Sequence, residues 1–237
     1  NYDVVTTNGT NSAASSIARL LVAPTSYPGK IAIDPSINVA AEIVSGWVYT
    51  TAVAPDGKIY VGGEFSSVDR LLRSHIARFN ADGSLDNSFV PVALNGAVLS
   101  ILPLADGRVW IGGDFFNVKG VTRSYSRLLR LLADGSLDES VAEGSPDSSV
   151  LALALQSDGK LLFGGLFASS AQNINAYLAR LNADGTKDAV FRPSVFNVST
   201  GGIWAIAVQG DGKIVAGGRF NFAGSSSLRS GSCIARF

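Results

Sequence analysis

The chain repeats itself, and that single property most restricts what it can fold into. The phrases APDGKIYVGGEF (54–65), LADGRVWIGGDF (104–115), QSDGKLLFGGLF (156–167) and QGDGKIVAGGRF (209–220) share an Asp-Gly step, an apolar triplet, a glycine pair and a closing Phe. Their first glycines, Gly57, Gly107, Gly159 and Gly212, are spaced by 50, 52 and 53 residues. A second phrase follows each first one: IARFNADGSLDNSF (76–89), LLRLLADGSLDESV (128–141), LARLNADGTKDAVF (178–191), and a copy that stops at IARF (234–237). A divergent copy, IARLL at 17–21, continues after an insertion to DPSI at 34–37. A period of this length marks an architecture in which one unit cannot bury its own apolar face and must stack on its neighbours.

Each period contains four strand-like runs, in the first copy VYTTAVAP, KIYVGGEF, HIARFNA and a shorter one around SLDNSF. They are rich in Val, Ile and aromatic residues, and too short and too often broken by glycine for helices. Asp56-Gly57 and Asp82-Gly83 join them as hairpin turns, because glycine accepts the positive φ that such turns need. Four antiparallel strands repeated radially make a β-propeller. The expected fold is therefore all-β: one propeller over 1–237, with four-stranded antiparallel blades of about 50–53 residues. The expected divisions are a partial blade at 1–43, blades at about 44–92, 93–145 and 146–197, and an incomplete blade at 198–237. The ring closes with about five blades or belongs to a larger propeller. The glycine pairs 62–63, 112–113, 164–165 and 217–218 are expected where inner strands crowd near the axis. The absence of methionine leads to the expectation of a segment taken from something longer.

Composition narrows the function classes. Nineteen basic and 19 acidic residues give zero net charge, which removes the electrostatic case for nucleic acid or an anionic membrane surface. One cysteine allows neither an internal disulfide nor a cysteine zinc site, and one histidine, His75, allows no histidine metal site. His75 has no recognisable catalytic partner, and no apolar run reaches the ~18–20 residues that span a bilayer. No cofactor or metal is expected.

The repeated polar residues have scaffold readings. In NADGSLD, Asn80, Asp82 and Asp86 alternate like calcium donors, as do Asn182, Asp184 and Asp188, but Leu132 replaces the Asn in the middle copy and no Glu closes the loop. A side-chain-capped turn accounts for them better. Arg19, Arg78, Arg130, Arg180 and Arg236 recur with Asp34, Asp86, Asp138 and Asp188, which fits an Arg–carboxylate pair inside each blade rather than a ring of ligand sites. Trp110 and Trp204 share positions with Leu and Val and are expected in the core, whereas Trp47 is expected to be exposed. Glu64 and Asp114 occupy equivalent positions after the glycine pair and are the best candidates for a catalytic carboxylate pair.

What varies between copies is the segment after the closing Phe: SSVDRLLRS, FNVKGVTRSYS, ASSAQNINA and NFAGSSSLRSGS. All leave equivalent strands and so emerge on one face, where variable loops on a rigid scaffold commonly bind partners. The candidate ligand- or partner-binding residues are Asp69, Arg70, Arg73, Tyr125, Asn173, Asn175, Tyr177 and Arg229.

DGKIYVGGEF with ARFNADGSLDNSF, and DGKIVAGGRF and ARLNADGTKDAVF almost as well, resemble the delta-60 repeat, a β-propeller repeat of bacterial surface and secreted proteins. The resemblance covers 45–237 clearly and 1–44 weakly. It implies a propeller and carries no shared catalytic motif. The function expected is a non-catalytic extracellular or cell-surface module. Its partners would be a protein or other copies or domains of a larger assembly, with no nucleic acid and no membrane insertion. The alternative is a glycan-binding propeller using loops 66–75, 116–127, 168–177 and 221–233, and after it a glycan hydrolase or lyase using Glu64 and Asp114.

Overall fold

A computed structural model describes residues 46–118, 127–141, 146–167, 177–193, 195–196, 201–222 and 232–237. The partial blade expected at 1–43 lies outside them. Regular structure among the described residues is β throughout. The first unit holds β1 (Gly46–Val53), β2 (Ile59–Phe65), β3 (Ser67–Val68), β4 (Leu71–Leu72) and β5 (Ile76–Phe79). The second holds β6 (Val98–Pro103), β7 (Val109–Gly113) and β8 (Leu128–Leu131). In the third are β9 (Val150–Leu155), β10 (Leu161–Gly165) and β11 (Leu178–Leu181), followed by the short β12 (Val195–Phe196). The fourth holds β13 (Gly202–Val208), β14 (Ile214–Arg219), β15 (Asn221–Phe222) and β16 (Ser232–Arg236). Each unit is a three-stranded antiparallel sheet: β1-β2-β5, β6-β7-β8, β9-β10-β11 and β13-β14-β16.

The first hairpin of every unit turns on its Asp-Gly step. Gly57 N donates to Ala54 O at 2.9 Å, and Ala54 N to Lys58 O at 2.8 Å. Gly57 adopts φ 85° and its counterparts Gly107, Gly159 and Gly212 adopt 86°, 81° and 84°. This is a three-residue loop with a left-handed glycine, the conformation glycine supplies without steric cost. The Asp56 carboxylate accepts Lys58 N at 3.1 Å, so the aspartate tightens the same turn.

Among the described residues the expected fourth strand is reduced to one bridge in each of the first three units: Phe79 with Leu85, Leu131 with Leu137, and Leu181 with Lys187. The residue after the bridge stops the ladder. Asp86 Oδ1 accepts both Ser88 N (3.0 Å) and Ser88 Oγ (2.6 Å), and Phe89 N turns back to Asp86 O at 3.3 Å. A carboxylate that captures nearby backbone amides competes directly with strand pairing. The chain then crosses to the next unit, where Val90 N donates to Asp134 O at 2.7 Å.

The glycine pairs lie on the middle strand of each sheet, and the two members have different neighbours. The second faces a β-bulge in the first strand, where Tyr49, Leu99, Leu151 and Trp204 are the extra residues. A Cβ at Gly63, Gly113, Gly165 or Gly218 collides with the carbonyl oxygen of Trp47, Ala97, Ser149 or Gly202 across that bulge. The first glycine faces the next unit. A Cβ on Gly62 stands 2.7 Å from Val98 Cγ1 and 2.8 Å from Ile101 Cδ1, and one on Gly164 stands 2.6 Å from Ile203 Cγ2. The side chains missing from the middle strand are thus replaced by those of the following unit's first strand.

The core consequently belongs to the junctions. Tyr60, Ile76 and Phe89 of the first unit cluster with Val98, Ile111 and Phe115 of the second. Trp110 and Leu128 of the second join Val150, Leu161 and Phe163 of the third, and Leu178 of the third joins Ile203, Ala216 and Phe220 of the fourth. Burying one such side chain contributes about 1.5–3 kcal/mol.

Gly112→Ala is therefore expected to destabilise by about 1–3 kcal/mol, because its Cβ meets Val150 Cγ1 and Ser100 Oγ at 2.5 Å. At the fourth unit, Gly217→Ala is expected to be neutral or slightly stabilising in dilute solution, since among the described residues nothing lies nearer its Cβ than Ala205 Cβ at 3.9 Å. Urea unfolding of the two variants measures the difference.

Candidate functional site: the latches and the loop end

The recurring Arg and Asp meet inside each unit. Arg78 Nε donates to Asp86 Oδ2 at 2.8 Å, Arg130 Nε to Asp138 at 2.7 Å and Arg180 Nε to Asp188 at 2.9 Å. Lys58 and Lys160 add a second cation at 2.6 and 2.9 Å, and Arg108 reaches Asp138 at 3.5 Å. Each guanidinium also lies over an aromatic ring, Phe89, Trp110 or Phe191, at 4.7, 5.2 and 4.3 Å. Arg78 further donates to Ala133 O of the next unit at 2.8 Å. These pairs tie the third strand to the segment after it and leave no open cationic ring in the three units.

The pairing also sets the ionisation of the acids. Burial alone disfavours the Asp86 carboxylate, but hydrogen bonds from Lys58, Ser88 and Arg78 outweigh it and hold its pKa far below the usual carboxylate range. Asp138 and Asp188 are lowered in the same way, by Ser140 and Arg130 and by Lys160, the Val190 amide and Arg180. In the calcium-like phrase, Asp82 Oδ1 accepts Ser84 N (2.9 Å) and Ser84 Oγ (2.7 Å), while Asp86 faces Arg78. The two carboxylates therefore serve different partners, and among the described residues no group of three or more His, Cys, Asp or Glu converges on a point.

Glu64 and Asp114 both act on Tyr49. The Tyr49 hydroxyl donates to Glu64 Oε2 at 3.2 Å. Loss of water around the phenol, that hydrogen bond and the charges of Glu64 and Asp114 all raise its pKa. Asp114 in turn accepts from Ser149 of the third unit and lies 3.5 Å from Arg127. Both acids are exposed; Glu64 is hydrogen-bonded within its own unit and Asp114 to Ser149 of the next.

The loop end is best defined in the first unit. β3 and β4 pair as a small hairpin whose two tip residues are Asp69 (φ 53°) and Arg70 (φ 64°). Two successive positive φ angles define a turn of the type that normally carries Asn-Gly. An arginine there is strained, and strain of this kind collects at functional positions. Val68, fully buried, anchors the hairpin, while Leu71 and Leu72 are 43% and 71% exposed beside the tip. Of the eight candidate residues, Asp69 and Arg70 are exposed, whereas Arg73 and Tyr177 turn inward, at 6% and 3% exposure. Arg73 NH1 donates to Leu72 O at 2.9 Å, and its buried Nε has no hydrogen-bond partner among the described residues. Tyr125, Asn173, Asn175 and Arg229 lie outside the described residues.

Tyr177 stands at a backbone step repeated in the first three units. His75, Arg127 and Tyr177 are all left-handed, with φ 69°, 65° and 65°. Each donates its amide to the carbonyl of the closing Phe (Phe65, Phe115, Phe167) and accepts from the second glycine of the pair (Gly63, Gly113, Gly165). This backbone step starts the third strand and folds Tyr177 onto Leu178, Ile203 and Phe220. Burial pushes its phenol pKa up. His75 Nδ1 is buried and has no hydrogen-bond partner among the described residues.

Trp110 is buried at 4% and Trp47 is 71% exposed, but Trp204 is 52% exposed, against the core placement expected from its Leu counterparts. It is the bulge residue, and a bulge re-aims the side chain that simple alternation points inward. Sequence reading also passed over Leu71, Leu72 and the 58% exposed Phe116. Their signal was available: apolar residues standing in otherwise polar, variable loops.

The description "Domain of unknown function (DUF5122) beta-propeller" matches residues 54–89, 104–140, 156–191 and 209–229, more than half of the chain. The chain belongs to the DUF5122 β-propeller family. No curated protein matches it. Among solved structures it is similar to the crystal structure of the WD40 beta propeller domain of Doa1, at 12% identity and a TM-score of 0.47. That similarity covers 71% of this chain, which spans about half (47%) of the other. The matched DUF5122 segments run from the first-hairpin turn through the latch in the first three units, the variable loops between them included.

The latches predict a definite acid response. Their folded pKa values lie below the ordinary 3.8, so their stabilisation is complete above that value and is lost as pH falls from it through the folded values. Thermal stability is expected to stay level from neutral pH to about 5 and to drop below about 4, as read by circular dichroism melts. Asp86→Asn, which leaves Arg78 buried without its counter-charge, is expected to cost about 3 kcal/mol at pH 7. In contrast, the double change Asp69→Asn with Arg70→Gly is expected to stabilise by about 1 kcal/mol in urea unfolding, because it relieves the strained turn.

Proposed function

We propose that the chain is a non-catalytic, extracellular or cell-surface structural and protein-interaction module of a larger bacterial protein, and that it carries delta-60-type repeats. The observation that supports this reading best is the strained Asp69-Arg70 tip beside exposed Leu71 and Leu72, held on a scaffold whose recurring acids are tied into internal latches. A turn that could be relaxed by Asn-Gly but is built from Asp-Arg suits contact with a partner better than it suits folding. The adjoining leucines supply apolar contact area, and the Asp and Arg supply orientation. The partner class is a protein surface, with surface glycans as the alternative.

The surface assignment is tested by limited proteolysis of intact source cells. Peptides cut after Arg70 or Arg73 are expected in the medium before lysis, and their release only after lysis overturns the assignment. Cross-linking mass spectrometry on the same cells is expected to join residues 66–75 to another polypeptide. The double change Asp69→Asn with Arg70→Gly is expected to abolish those cross-links while raising stability. Binding on a broad glycan array, lost in that variant, favours the glycan reading instead. Glycan turnover that disappears with Glu64→Gln plus Asp114→Asn overturns the non-catalytic one.

A further inference from the structure

The entry to the second unit is tied to the loop that leaves its middle strand. Leu94 and Val118, both buried, pair in an isolated bridge. Beside it the side-chain oxygen of Asn95 accepts Phe116 N and Asn117 N, each at 2.9 Å. Two donors on one atom identify that atom as Oδ1 and not the amide nitrogen. Asn95 itself is exposed to water. An oxygen-bearing side chain recurs at this place in the repeat. Ser45, Asn95, Asp147 and Thr200 stand two positions before Trp47, Ala97, Ser149 and Gly202, the residues whose carbonyls meet the second glycine of each pair.

The residue after Asn95 is fixed independently. A Cβ on Gly96 stands 2.9 Å from both Phe115 Cα and Phe115 N, so close backbone contact keeps this position a glycine. The fold thus requires an acceptor side chain followed by a residue that has none, and the second unit meets both needs with Asn-Gly. That dipeptide has a chemistry of its own. With no Cβ to shield it, the glycine nitrogen reaches the carboxamide carbon of the preceding asparagine. Among the described residues no backbone acceptor takes the Gly96 N–H.

We infer that Asn95 is a self-modification site, converted with Gly96 through a cyclic imide to aspartate or isoaspartate. Hydroxide removes the Gly96 amide proton, and the nitrogen forms a bond to Asn95 Cγ. The electron pair displaced onto Oδ1 is received by Phe116 N–H and Asn117 N–H, an oxyanion hole that is already in place. When that pair returns, the Cγ–Nδ2 bond breaks, and Nδ2 takes a proton from water and leaves as ammonia, regenerating hydroxide. Water then opens the imide. Cleavage between Cγ and the Gly96 nitrogen gives aspartate, and cleavage at the main-chain carbonyl carbon gives isoaspartate. Nothing is oxidised or reduced, and water is the only other reactant consumed. The aspartate product keeps both hydrogen bonds, now to a charged acceptor, which strengthens them. It is also the residue type that the third unit carries in this place, Asp147. Conversion takes a chain of zero net charge to a single negative charge, placed at the root of the loop that bears the exposed Phe116. The reaction needs no partner and is independent of the role proposed above.

Peptide mapping by mass spectrometry, on the chain held in mildly alkaline buffer, tests it. Under native conditions Asn95 is expected to convert about tenfold faster than in the same chain unfolded in urea at equal pH and temperature, because only the folded chain holds two amides on Oδ1. A native rate equal to or below the rate in urea overturns the inference. Asn95→Asp, which supplies the product directly, is expected to melt no lower than the unmodified chain at neutral pH. A lower melting temperature also overturns it, since the product then fails to keep the two hydrogen bonds.

Discussion

The glycine pair on the middle strand is the constraint from which the rest of the structure follows. Its second member lets a bulged first strand press its backbone against the middle strand, and no side chain fits between them. The first member leaves a hole that only the next unit fills. A unit so built buries much of its apolar surface against the next one, while Phe65, Val68, Ala77 and Phe79 of the first unit form a cluster among themselves. The three clusters that span the three junctions are the direct result.

The Arg–Asp latches work at the opposite edge of each sheet. They do not drive association, since a buried ion pair is offset by the desolvation of its charges. Their effect is to fix the path of the chain. By holding Asp86, Asp138 and Asp188 against the third strand, they cut the fourth run short and direct the backbone toward the next unit's turn. The aromatic ring under each guanidinium joins the latch to the core, so the polar and apolar contacts specify the same geometry.

Much of this was legible in the sequence because it is local. The Asp-Gly turns are read from two adjacent residues, and the latch from an Arg and an Asp eight positions apart in every copy. The exposed Asp69 and Arg70 were legible for the same reason, as polar residues in a segment that varies. Trp204 and Tyr177 were not. An alternating pattern assigns faces by counting residues, and one bulge or one left-handed step inverts that count. Trp204 sits in such a bulge, and Tyr177 occupies such a step.

The sequence by itself determined the period, the β character, the turn chemistry and the charge pairing, because each depends on residues close together in the chain or on a motif repeated intact. Only the tertiary structure decided what replaces the side chains missing at the glycine pair and which bulge residues are turned outward. Those outcomes depend on the neighbouring unit. Val48 and Val98 hold equivalent places in the repeat, yet one is half-exposed and the other is fully buried over Gly62 of the first unit.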